Sequence, residues 1–187
     1  MIDFNQINKG WTLYLDRDGV INHEKYADYI NTWGEFTFYE GALEAIRLLS
    51  QKFNRIIVVT NQRGVGRGVT KPEDLEKIHR NMVAHIEKAK GRIDAVYFCP
   101  DLDDTSPDRK PNPGMGLKAA KDFPDIDLKK ALIVGNNLSD MEFGRNLGIY
   151  TVFLNTTETG IDYTDYRIDA FYDSLISLAR DLVVNLK

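Results

Sequence analysis

The amino-acid sequence predicts an α/β fold in which a doubly wound parallel sheet is covered by helices on both faces. Two observations predict this class. Short apolar runs rich in β-branched and aromatic residues alternate with amphipathic, helix-like segments along the chain. The short runs are apolar at nearly every position rather than at every second one, which is typical of strands buried on both faces. A three-layer arrangement around one parallel sheet is therefore expected.

Five runs qualify as strands, and each is bounded by Gly, Asn, Asp or Pro, the residues that commonly flank strands. They comprise residues 11–15, 55–60, 94–98, 131–134 and 150–154. Helical patterns lie between them, as the crossover connections of a parallel sheet require.

The clearest helical pattern is the segment 72–91. Pro72 suits its first turn and Gly91 suits a C-terminal cap. The apolar side chains that this segment places on one face are Leu75, Ile78, Met82, Val83 and Ile86. Pro113 is predicted to begin another helix. Further helices are predicted for residues 41–53, 140–148 and 173–187.

Length and composition limit the classes of function. The 187 residues fit one domain, and 43% hydrophobic with 28% charged residues is ordinary for a soluble globular protein. A net charge of −4 argues against a general nucleic-acid or membrane surface. No apolar run reaches the roughly 18–20 residues of a membrane helix, and the N-terminus lacks the apolar segment of a signal peptide. We expect a cytoplasmic enzyme or binding protein without nucleic-acid or membrane partners.

Ligands of parallel α/β sheets bind at the carboxyl ends of the strands. The polar or small residues at the predicted strand ends are Asp16 and Asp18, Thr60 and Asn61, Cys99, and Gly135 and Asn136. The longest irregular segments, 19–40, 99–113 and 155–168, are expected to form loops over this edge of the sheet.

Three stretches carry candidate chemistry at this edge. Asp16 and Asp18 form Asp-x-Asp-Gly after a strand, which offers cation ligands and a nucleophile, although a plain turn has the same composition. Thr60 and Asn61 precede the glycines at positions 64, 66 and 68. These glycines match neither G-x-G-x-x-G nor the nucleotide-binding pattern G-x-x-x-x-G-K-[ST], so a flexible loop is predicted there. Lys110 is either a surface charge or a point charge for phosphate.

In this order, the stretches LDRDGVIN, TNQRGVGRG, RKPNPGM and VGNNLSD resemble the motifs of the haloacid dehalogenase-like (HAD) superfamily of phosphohydrolases. The resemblance spans residues 12–153. Within the superfamily, the first three stretches are most similar to those of the D-glycero-D-manno-heptose 1,7-bisphosphate phosphatases and their histidinol-phosphatase relatives. Polynucleotide 3′-phosphatases are more distant, though they share a similar second stretch. The resemblance implies a Rossmann-like core formed by residues 1–187 as a single domain. No separate cap domain is expected, because the insertion 19–40 is too short for one.

The resemblance also implies roles for individual residues. Asp16 is the implied nucleophile, which forms an aspartyl-phosphate, and Asp18 protonates the leaving oxygen and then activates water. Thr60 and Lys110 are implied to bind phosphate oxygens. The residues expected to contact the rest of the substrate are Asn22, Asn61, Arg63 and Arg109. From the residues alone, Arg63 is either a solvated loop charge or an anion contact.

Magnesium is the implied cofactor, because a cation offsets the repulsion between a carboxylate and a phosphate dianion. The implied ligands are Asp16, the main-chain carbonyl of Asp18, Asn136 and Asp140. Asn136 departs from the superfamily pattern, which usually has an aspartate there. An amide oxygen still ligates but removes one negative charge, so we expect weaker Mg²⁺ binding, with Asp140 compensating directly or through water.

A second departure concerns zinc. Heptose-bisphosphate phosphatases often carry a Cys/His cluster before the Arg-Lys-Pro segment, whereas here only Cys99 is present. We expect Cys99 to be a packed strand residue and expect no structural zinc. The acidic residues that follow lack the glycine and glutamate of an EF-hand and are predicted to form a solvated loop.

The histidines and the aromatic residues of the first loop each allow more than one interpretation from the sequence. His23 is a candidate substrate contact, and His79 and His85 are predicted to be surface or partly packed helix residues. The aromatic side chains of the first loop, Tyr26, Tyr29, Trp33 and Phe36, either shape the pocket or pack on the core, with packing favoured for each one.

Three functions remain open at this point. The first is a Mg²⁺-dependent phosphomonoesterase for a sugar bisphosphate such as heptose 1,7-bisphosphate. The second is a phosphatase for histidinol phosphate or another small phosphorylated metabolite. The third is a catalytically weak protein that binds phosphorylated ligands. The sequence leaves the oligomeric state undetermined.

Overall fold

The computed structural model describes residues 3–184. Within this range it contains one six-stranded sheet. The strands are β1 (Thr12–Leu15), β2 (Arg55–Asn61), β3 (Ala95–Cys99), β4 (Ala131–Gly135), β5 (Tyr150–Leu154) and β6 (Ala170–Tyr172). They lie in the order β3-β2-β1-β4-β5-β6, and each neighbouring pair is parallel. The predicted α/β class with a parallel sheet is confirmed.

The helices of the described residues follow the strands in sequence. They are α1 (Ala42–Lys52), α2 (Arg63–Gly66), α3 (Pro72–Lys88), α4 (Gly114–Asp122), α5 (Leu138–Leu147) and α6 (Leu175–Val184). The predicted helix 173–187 is confirmed as far as Val184, and residues 185–187 lie outside the described part of the chain.

Each central strand sends alternate side chains into two hydrophobic cores, which gives the three layers. Leu13 and Leu15 of β1 join the core formed with α1, α3 and α6. Tyr14 joins the core formed with α4 and α5 on the opposite face. Because both faces are covered, the strands are apolar throughout, as the sequence indicated.

β1 lies at the topological switch point of the sheet. The chain passes from β1 to β2 and β3 on one side, and then crosses back to β4 on the other side. At such a point the connections leave the strand ends in opposite directions and open a crevice between them. The loops after β1 and β4 meet there.

No helix among residues 3–184 is both long and apolar enough to cross a membrane.

All five predicted strands are present, and β6 was not predicted. It contains only three residues, of which Phe171 is exposed. Its strand conformation comes from parallel pairing with β5, in which Phe153 lies opposite Phe171. Nonlocal pairing of this kind leaves no pattern in a three-residue segment.

Pro72 lies in the first turn of α3, as predicted. The predicted C-terminal cap of this helix was wrong by one residue. The left-handed residue after the helix is Lys90, with φ 66°, not Gly91. The Lys90 amide donates to the carbonyl of Glu87 and the Gly91 amide to that of Ile86, as in a Schellman motif. Gly91 is required by packing, since a Cβ there would lie 2.9 Å from Ile86 Cγ2.

The prediction of a flexible glycine-rich loop after β2 was also wrong. The segment begins with the short helix α2, and a Cβ at Gly64 would lie 2.3 Å from Thr70 Oγ1. A Cβ at Gly66 would lie 2.2 Å from the carbonyl oxygen of Pro100. These glycines therefore allow close packing of the loop.

Candidate active site

A cavity of about 450 Å³ opens at the carboxyl ends of β1, β2 and β4. It brings together eight of the sequence-predicted site residues, whereas Asn22, Arg63 and the candidate contact His23 do not line it. Those that line it are Asp16, Asp18, Thr60, Asn61, Arg109, Lys110, Asn136 and Asp140. A larger cavity of about 710 Å³ lies beside it, against the first turns of α1 and α6. That cavity lacks the buried carboxylate–ammonium pair, so we assign the chemistry to the smaller one.

Lys110 lies between two carboxylates on the floor of the cavity. Its Nζ is 2.9 Å from Asp16 Oδ1 and 2.6 Å from Asp140 Oδ1, and it also donates to the carbonyl of Val59 at 2.8 Å. These partners engage all three protons of the ammonium group. A phosphate oxygen must therefore exchange with one of them to bind Lys110. In this geometry Lys110 is a fixed positive charge beside Asp16.

Burial and neighbouring charges act in opposite directions on this pair. Burial raises the pKa of Asp16 to about 7 against the lowering effect of Lys110, and the carboxylates of Asp140 and Asp18 add to the rise. Burial acts to lower the pKa of Lys110, but Asp140 and Asp16 outweigh it and hold that pKa above its usual value. A further cation next to Asp16 would favour its ionised, nucleophilic form.

The Asp18 carboxylate is surrounded by hydrogen-bond donors. Arg17 Nη2 is 2.9 Å from each of its oxygens, Asn22 Nδ2 donates to Oδ1 at 2.9 Å, and Gln62 Nε2 donates to Oδ2 at 2.9 Å. Burial alone would raise the pKa of Asp18, but Arg17, Asn22 and Gln62 hold it below its usual value. Asp18 is therefore ionised here, the form that accepts a proton from water. The negative charge of a bound phosphate would raise its pKa toward the acid form.

Thr60 and Asn61 end β2 at the cavity. The Thr60 side chain is buried, and its Oγ1 accepts a hydrogen bond from Gln62 Nε2 at 2.9 Å. Asn61 pairs with the main chain of Lys110 in both directions, donating to its carbonyl and accepting from its amide, each at 3.0 Å. Asn61 therefore holds the Lys110 loop in place at the edge of the cavity.

Asn136 carries the clearest indication of a missing partner. Its Nδ2 donates to Thr157 Oγ1 at 2.7 Å, while its Oδ1 is buried without a hydrogen-bond partner among the described residues. Gly19, with φ +83°, packs directly against this amide, because a Cβ there would lie 2.1 Å from Asn136 Nδ2. A buried oxygen rarely stays unpaired. The oxygens of Asn136 and Asp16 in one cavity suit a hard cation such as Mg²⁺.

Asp140 lines the cavity, and both of its carboxylate oxygens already have partners there. Its Oδ1 pairs with Lys110, and its Oδ2 accepts the Asn137 amide at 3.1 Å in the capping box that begins α5. Both oxygens are thus engaged, which argues against direct ligation and for support of Lys110. Among residues 3–184, no group of three His, Cys, Asp or Glu side chains is arranged to hold a metal. A cation site here must therefore include amide or main-chain oxygens.

Charged residues of both signs surround the mouth of the cavity. Asp104 accepts hydrogen bonds from Arg63 and, at 2.9 Å, from Arg109 Nε. Glu24 also lines the cavity. Glu158, bonded to Asn137, has a pKa raised by burial, Asp140 and Glu24. The mouth therefore combines an arginine pair, already bridged by one carboxylate, with an acidic rim.

Asn22 and His23 do not lie where a substrate contact was expected. Asn22 is fully buried, and its Nδ2 donates to Asp18 and to the carbonyl of His23. Its burial argues against a direct contact and for a role in holding Asp18. His23 lines the neighbouring larger cavity, with its ring centroid 3.9 Å from that of Tyr39.

The aromatic side chains of the first loop do not line the catalytic cavity. Phe36 is buried in the core, and Trp33 stacks on it with centroids 4.9 Å apart. Packing, the favoured alternative, is therefore confirmed for these two. Tyr26 is almost fully exposed.

Cys99 is buried at the end of β3, as predicted. The acidic loop after it is exposed at residues 101–105, as predicted, and within it Asp104 binds two arginines while Asp101 accepts a hydrogen bond from Ser106. These bonds connect the loop without a metal-ligand cluster among the residues described.

Sequence reasoning assigned no site role to Arg17, Gln62 or His79. Arg17 and Gln62 lie inside the recognised motifs, yet nothing in the motifs indicates that both side chains turn inward to Asp18. His79 was predicted to be a surface or partly packed residue, and this was wrong. It is buried, with Nε2 3.0 Å from Arg17 Nη1. Its spacing from Leu75 and Met82 places it on the apolar face of α3, which was the available indication.

Comparison with known proteins gives related sequences across most of the chain. A family model described as HAD-hydrolase-like matches residues 108–178. A D-glycero-α-D-manno-heptose-1,7-bisphosphate 7-phosphatase from Mycobacterium tuberculosis is 34% identical over 170 residues, covering 90% of each chain. One from Campylobacter jejuni is 39% identical over 146 residues, covering 78% of this chain and 83% of the relative. A β-anomer 7-phosphatase from Rhodopseudomonas palustris is 33% identical over 181 residues, covering 92% and 94%.

Solved structures give the same relationship. The D,D-heptose 1,7-bisphosphate phosphatase from B. bronchiseptica, complexed with magnesium and phosphate, superposes with a TM-score of 0.82 at 28% identity. The match covers 93% of this chain and 98% of that one. A HAD-like phosphatase from Mesorhizobium loti superposes with a TM-score of 0.74 at 28% identity, covering 94% and 85%.

Proposed function

Because this chain belongs to the HAD-like phosphatases, in the family of the heptose-bisphosphate 7-phosphatases, we propose that it removes the 7-phosphate of D-glycero-D-manno-heptose 1,7-bisphosphate. The observation that carries the proposal is the cavity that joins Asp16, Lys110 and the unpaired Asn136 oxygen. A carboxylate nucleophile, a fixed ammonium group and a cation site are the parts that phosphoryl transfer needs.

The first step is phosphoryl transfer to Asp16. A carboxylate oxygen of Asp16 forms a bond to phosphorus while the ester P–O bond breaks. The electron pair of that bond goes to the leaving oxygen, which takes a proton from the Asp18 carboxyl group. Lys110 and Thr60 lie beside Asp16 and favour the charge that builds on the phosphoryl oxygens.

The second step is hydrolysis of the aspartyl-phosphate. Water attacks phosphorus, Asp18 takes its proton, and the bond to Asp16 breaks with its electron pair returning to the carboxylate. The donors around Asp18 suit this step, since they stabilise its ionised form until the proton arrives.

Asp16, the main-chain carbonyl of Asp18 and Asn136 are the proposed Mg²⁺ ligands. When bound, the ion supplies positive charge that offsets the repulsion between Asp16 and the phosphate dianion. The raised pKa of Asp16 and the unpaired Asn136 oxygen support this assignment. We propose no structural zinc.

We assign the second phosphate of the substrate to the mouth of the cavity. Arg109 lines the cavity, and Arg63 shares Asp104 with it. Two guanidinium groups that share one carboxylate oxygen are spaced to share a phosphate in its place. Binding there requires Asp104 to give way. We also propose that the chain acts as one domain, in the cytoplasm, because doubly phosphorylated sugars do not cross membranes unaided.

The test is phosphate release from a panel of esters in the presence of Mg²⁺. The panel contains the α- and β-anomers of heptose 1,7-bisphosphate, histidinol phosphate and 4-nitrophenyl phosphate, with ³¹P NMR to identify the phosphate that is lost. We expect a heptose bisphosphate to have the highest kcat/KM and to lose its 7-phosphate. Asp16→Asn should lower turnover by at least about a thousandfold, because it removes the nucleophile.

Arg109→Gln tests the second-phosphate site. We expect it to raise KM for the bisphosphate while leaving KM for 4-nitrophenyl phosphate nearly unchanged, since the latter has no second phosphate. Lys118→Gln, on the exposed surface of α4, is the matched control for loss of one positive charge. An equal change in KM for both esters would contradict the assignment.

A second candidate substrate class is an amine-bearing phosphate ester such as histidinol phosphate. The acidic rim of Glu24, Asp104 and Glu158 is the observation that favours it, because it would attract a cationic leaving group. A kcat/KM for histidinol phosphate above that for both heptose anomers would establish this alternative. Release of phosphate from none of the esters, with measurable ligand binding, would instead indicate a phospho-ligand-binding protein.

A further inference from the structure

A chain of buried polar side chains extends from the catalytic cavity to helix α3. It consists of Asp18, Arg17 and His79, and we refer to it as the Arg17 relay. Arg17 is 1% exposed, and arginine is almost never buried to this degree unless it is paired. His79 is also buried. Neither has a place in the transfer chemistry described above, and His79 is remote from the motifs in sequence.

The guanidinium group of Arg17 has two sides with different partners. On one side, Nε and Nη2 are 3.3 and 2.9 Å from Asp18 Oδ1, and Nη2 also lies 3.3 Å from Gln62 Oε1. On the other side, Nη1 is 3.0 Å from His79 Nε2. Because arginine is always a donor, His79 must present the unprotonated Nε2 and act as acceptor.

This arrangement fixes the plane of the guanidinium group. A planar group that is bonded at both ends cannot rotate without losing one of its bonds, and a buried donor left unpaired is unfavourable, more so when it is charged. His79 therefore sets the direction in which Nε and Nη2 point. Together with the bonds from Asn22 and Gln62, that direction sets the position of the Asp18 carboxyl group.

We propose that His79 is a positioning residue for the phosphatase reaction, which it serves by holding Arg17 so that Asp18 is aligned with the leaving oxygen. The inference rests on the proposed function, in which Asp18 is the acid and base. His79 itself exchanges no proton with the substrate.

The consequence is specific to one step. Without an acceptor at position 79, Arg17 turns to restore its hydrogen bonds and displaces Asp18, so protonation of the leaving oxygen becomes inefficient. Phosphate binding by Lys110 and Thr60 is unaffected. The rate should change little for an ester whose leaving group departs easily without a proton, such as 4-nitrophenolate. The rate should fall for an ester whose leaving group is an alkoxide.

The experiment compares wild type, His79→Leu and His79→Gln with Mg²⁺ present. The esters are 4-nitrophenyl phosphate and the alkyl phosphate that the wild type hydrolyses best. The quantity compared is kcat/KM, which covers steps up to formation of the aspartyl-phosphate. We expect His79→Leu to lose about tenfold or more on the alkyl ester and less than about threefold on the aryl ester. The upper limit is the full contribution of a general acid, roughly 10²- to 10⁴-fold.

Three further readouts separate positioning from loss of structure. The inhibition constant of inorganic phosphate should change less than about twofold in His79→Leu, since the phosphate contacts remain. His79→Gln places an amide oxygen near the position of Nε2, so it should restore the alkyl ester to within about threefold of wild type. His85→Leu is the matched control, because His85 is exposed on the same helix; it should behave as wild type.

Equal losses on both esters, no loss at all, or a faster reaction in His79→Leu would each overturn the proposal. If His79→Leu does not fold, His79→Met keeps a similar volume with a poor acceptor and provides the same comparison. A wild type that hydrolyses no ester contradicts the proposed function instead. The relay is then judged from crystal structures of wild type and His79→Leu: displaced Arg17 and Asp18 side chains support it, and unchanged ones overturn it.

Discussion

Asn136 is the residue at which this site departs most from its superfamily pattern. The geometry gives the amide a defined orientation, since Nδ2 is bonded to Thr157 and Oδ1 is left buried and unpaired. A carboxylate at this position would have the same shape and would place one more negative charge in the cavity. Relative to an aspartate, the residue therefore lowers the charge of the proposed cation site while keeping a side-chain oxygen there.

Asn136→Asp should tighten magnesium binding. The added charge favours a divalent cation, and Thr157 can donate to the new carboxylate, so we expect the half-saturating Mg²⁺ concentration to fall roughly three- to tenfold, with turnover retained. The measurement is phosphate release as a function of Mg²⁺ concentration.

Ser139→Asp is the control for charge alone. Ser139 lines the same cavity in the first turn of α5, where an aspartate is favourable, so the substitution adds the same charge without changing the Asn136 side chain. We expect a much smaller change in Mg²⁺ dependence. Equal effects of the two substitutions would show that Asn136 acts through charge and not as a ligand.

At the scale of elements, the connection between β2 and α3 depends on tight packing. α2 begins directly after the site residues of β2, and Gly64 lies against Thr70 and the ring of Tyr29. Thr70 in turn donates to Asn31 Oδ1 at 2.6 Å, which links this connection to the loop after β1. The position of Gln62, and through it Asp18, depends on this packing.

Gly64→Ala should destabilise the protein by about 1–3 kcal/mol, because the new Cβ meets atoms that have little room to move. Gly34→Ala is the matched control. The nearest atom to a Cβ at Gly34 is 3.8 Å away, so its effect should stay within about 0.5 kcal/mol. Urea unfolding measures both. Equal stabilities would show that the glycine-rich segment yields readily, as a flexible loop would.

At the scale of the whole molecule, the polar site is embedded in the fold and makes stability depend on pH. His79 is the clearest case. Burial and the charge of Arg17 lower its pKa from 6.5 to about 3. Between these values the unfolded chain binds a proton that the folded chain does not bind. Stability therefore rises with pH across this window and is lost as the pH falls below 6.5.

The difference in unfolding free energy between wild type and His79→Gln should accordingly change with pH. From pH 7 to pH 4.5, the unfolding free energy of wild type should fall by about 2–3 kcal/mol more than that of the variant, because glutamine does not titrate. Urea unfolding at the two pH values gives the difference, in which contributions of groups that both proteins share cancel to a first approximation.

His85→Gln removes an exposed histidine from the same helix and should leave the pH dependence as in wild type. A difference between wild type and His79→Gln that is constant over this pH range would show that His79 takes up its proton equally well in the folded and unfolded states.

Much of the fold was predictable because strands and helices carry their patterns locally. The continuous apolar runs of β1, β2 and β4 indicated burial on both faces, and their polar ends indicated the edge where ligands bind. β6 and the end of α3 were not predicted correctly. The conformation of β6 depends on pairing with β5, and at the end of α3 the left-handed position is taken by Lys90, a residue type that does not indicate it.

By itself, the sequence determined the fold class, the motif residues at the strand ends, and the place where an amide replaces a carboxylate. These follow from residue type and spacing along the chain. Only the tertiary structure decided that Asp140 pairs with Lys110, that Arg63 and Arg109 share Asp104, and that Arg17 reaches His79. Such pairings join residues that are distant in sequence, and a buried charge takes the partner that the packed fold brings within hydrogen-bond distance.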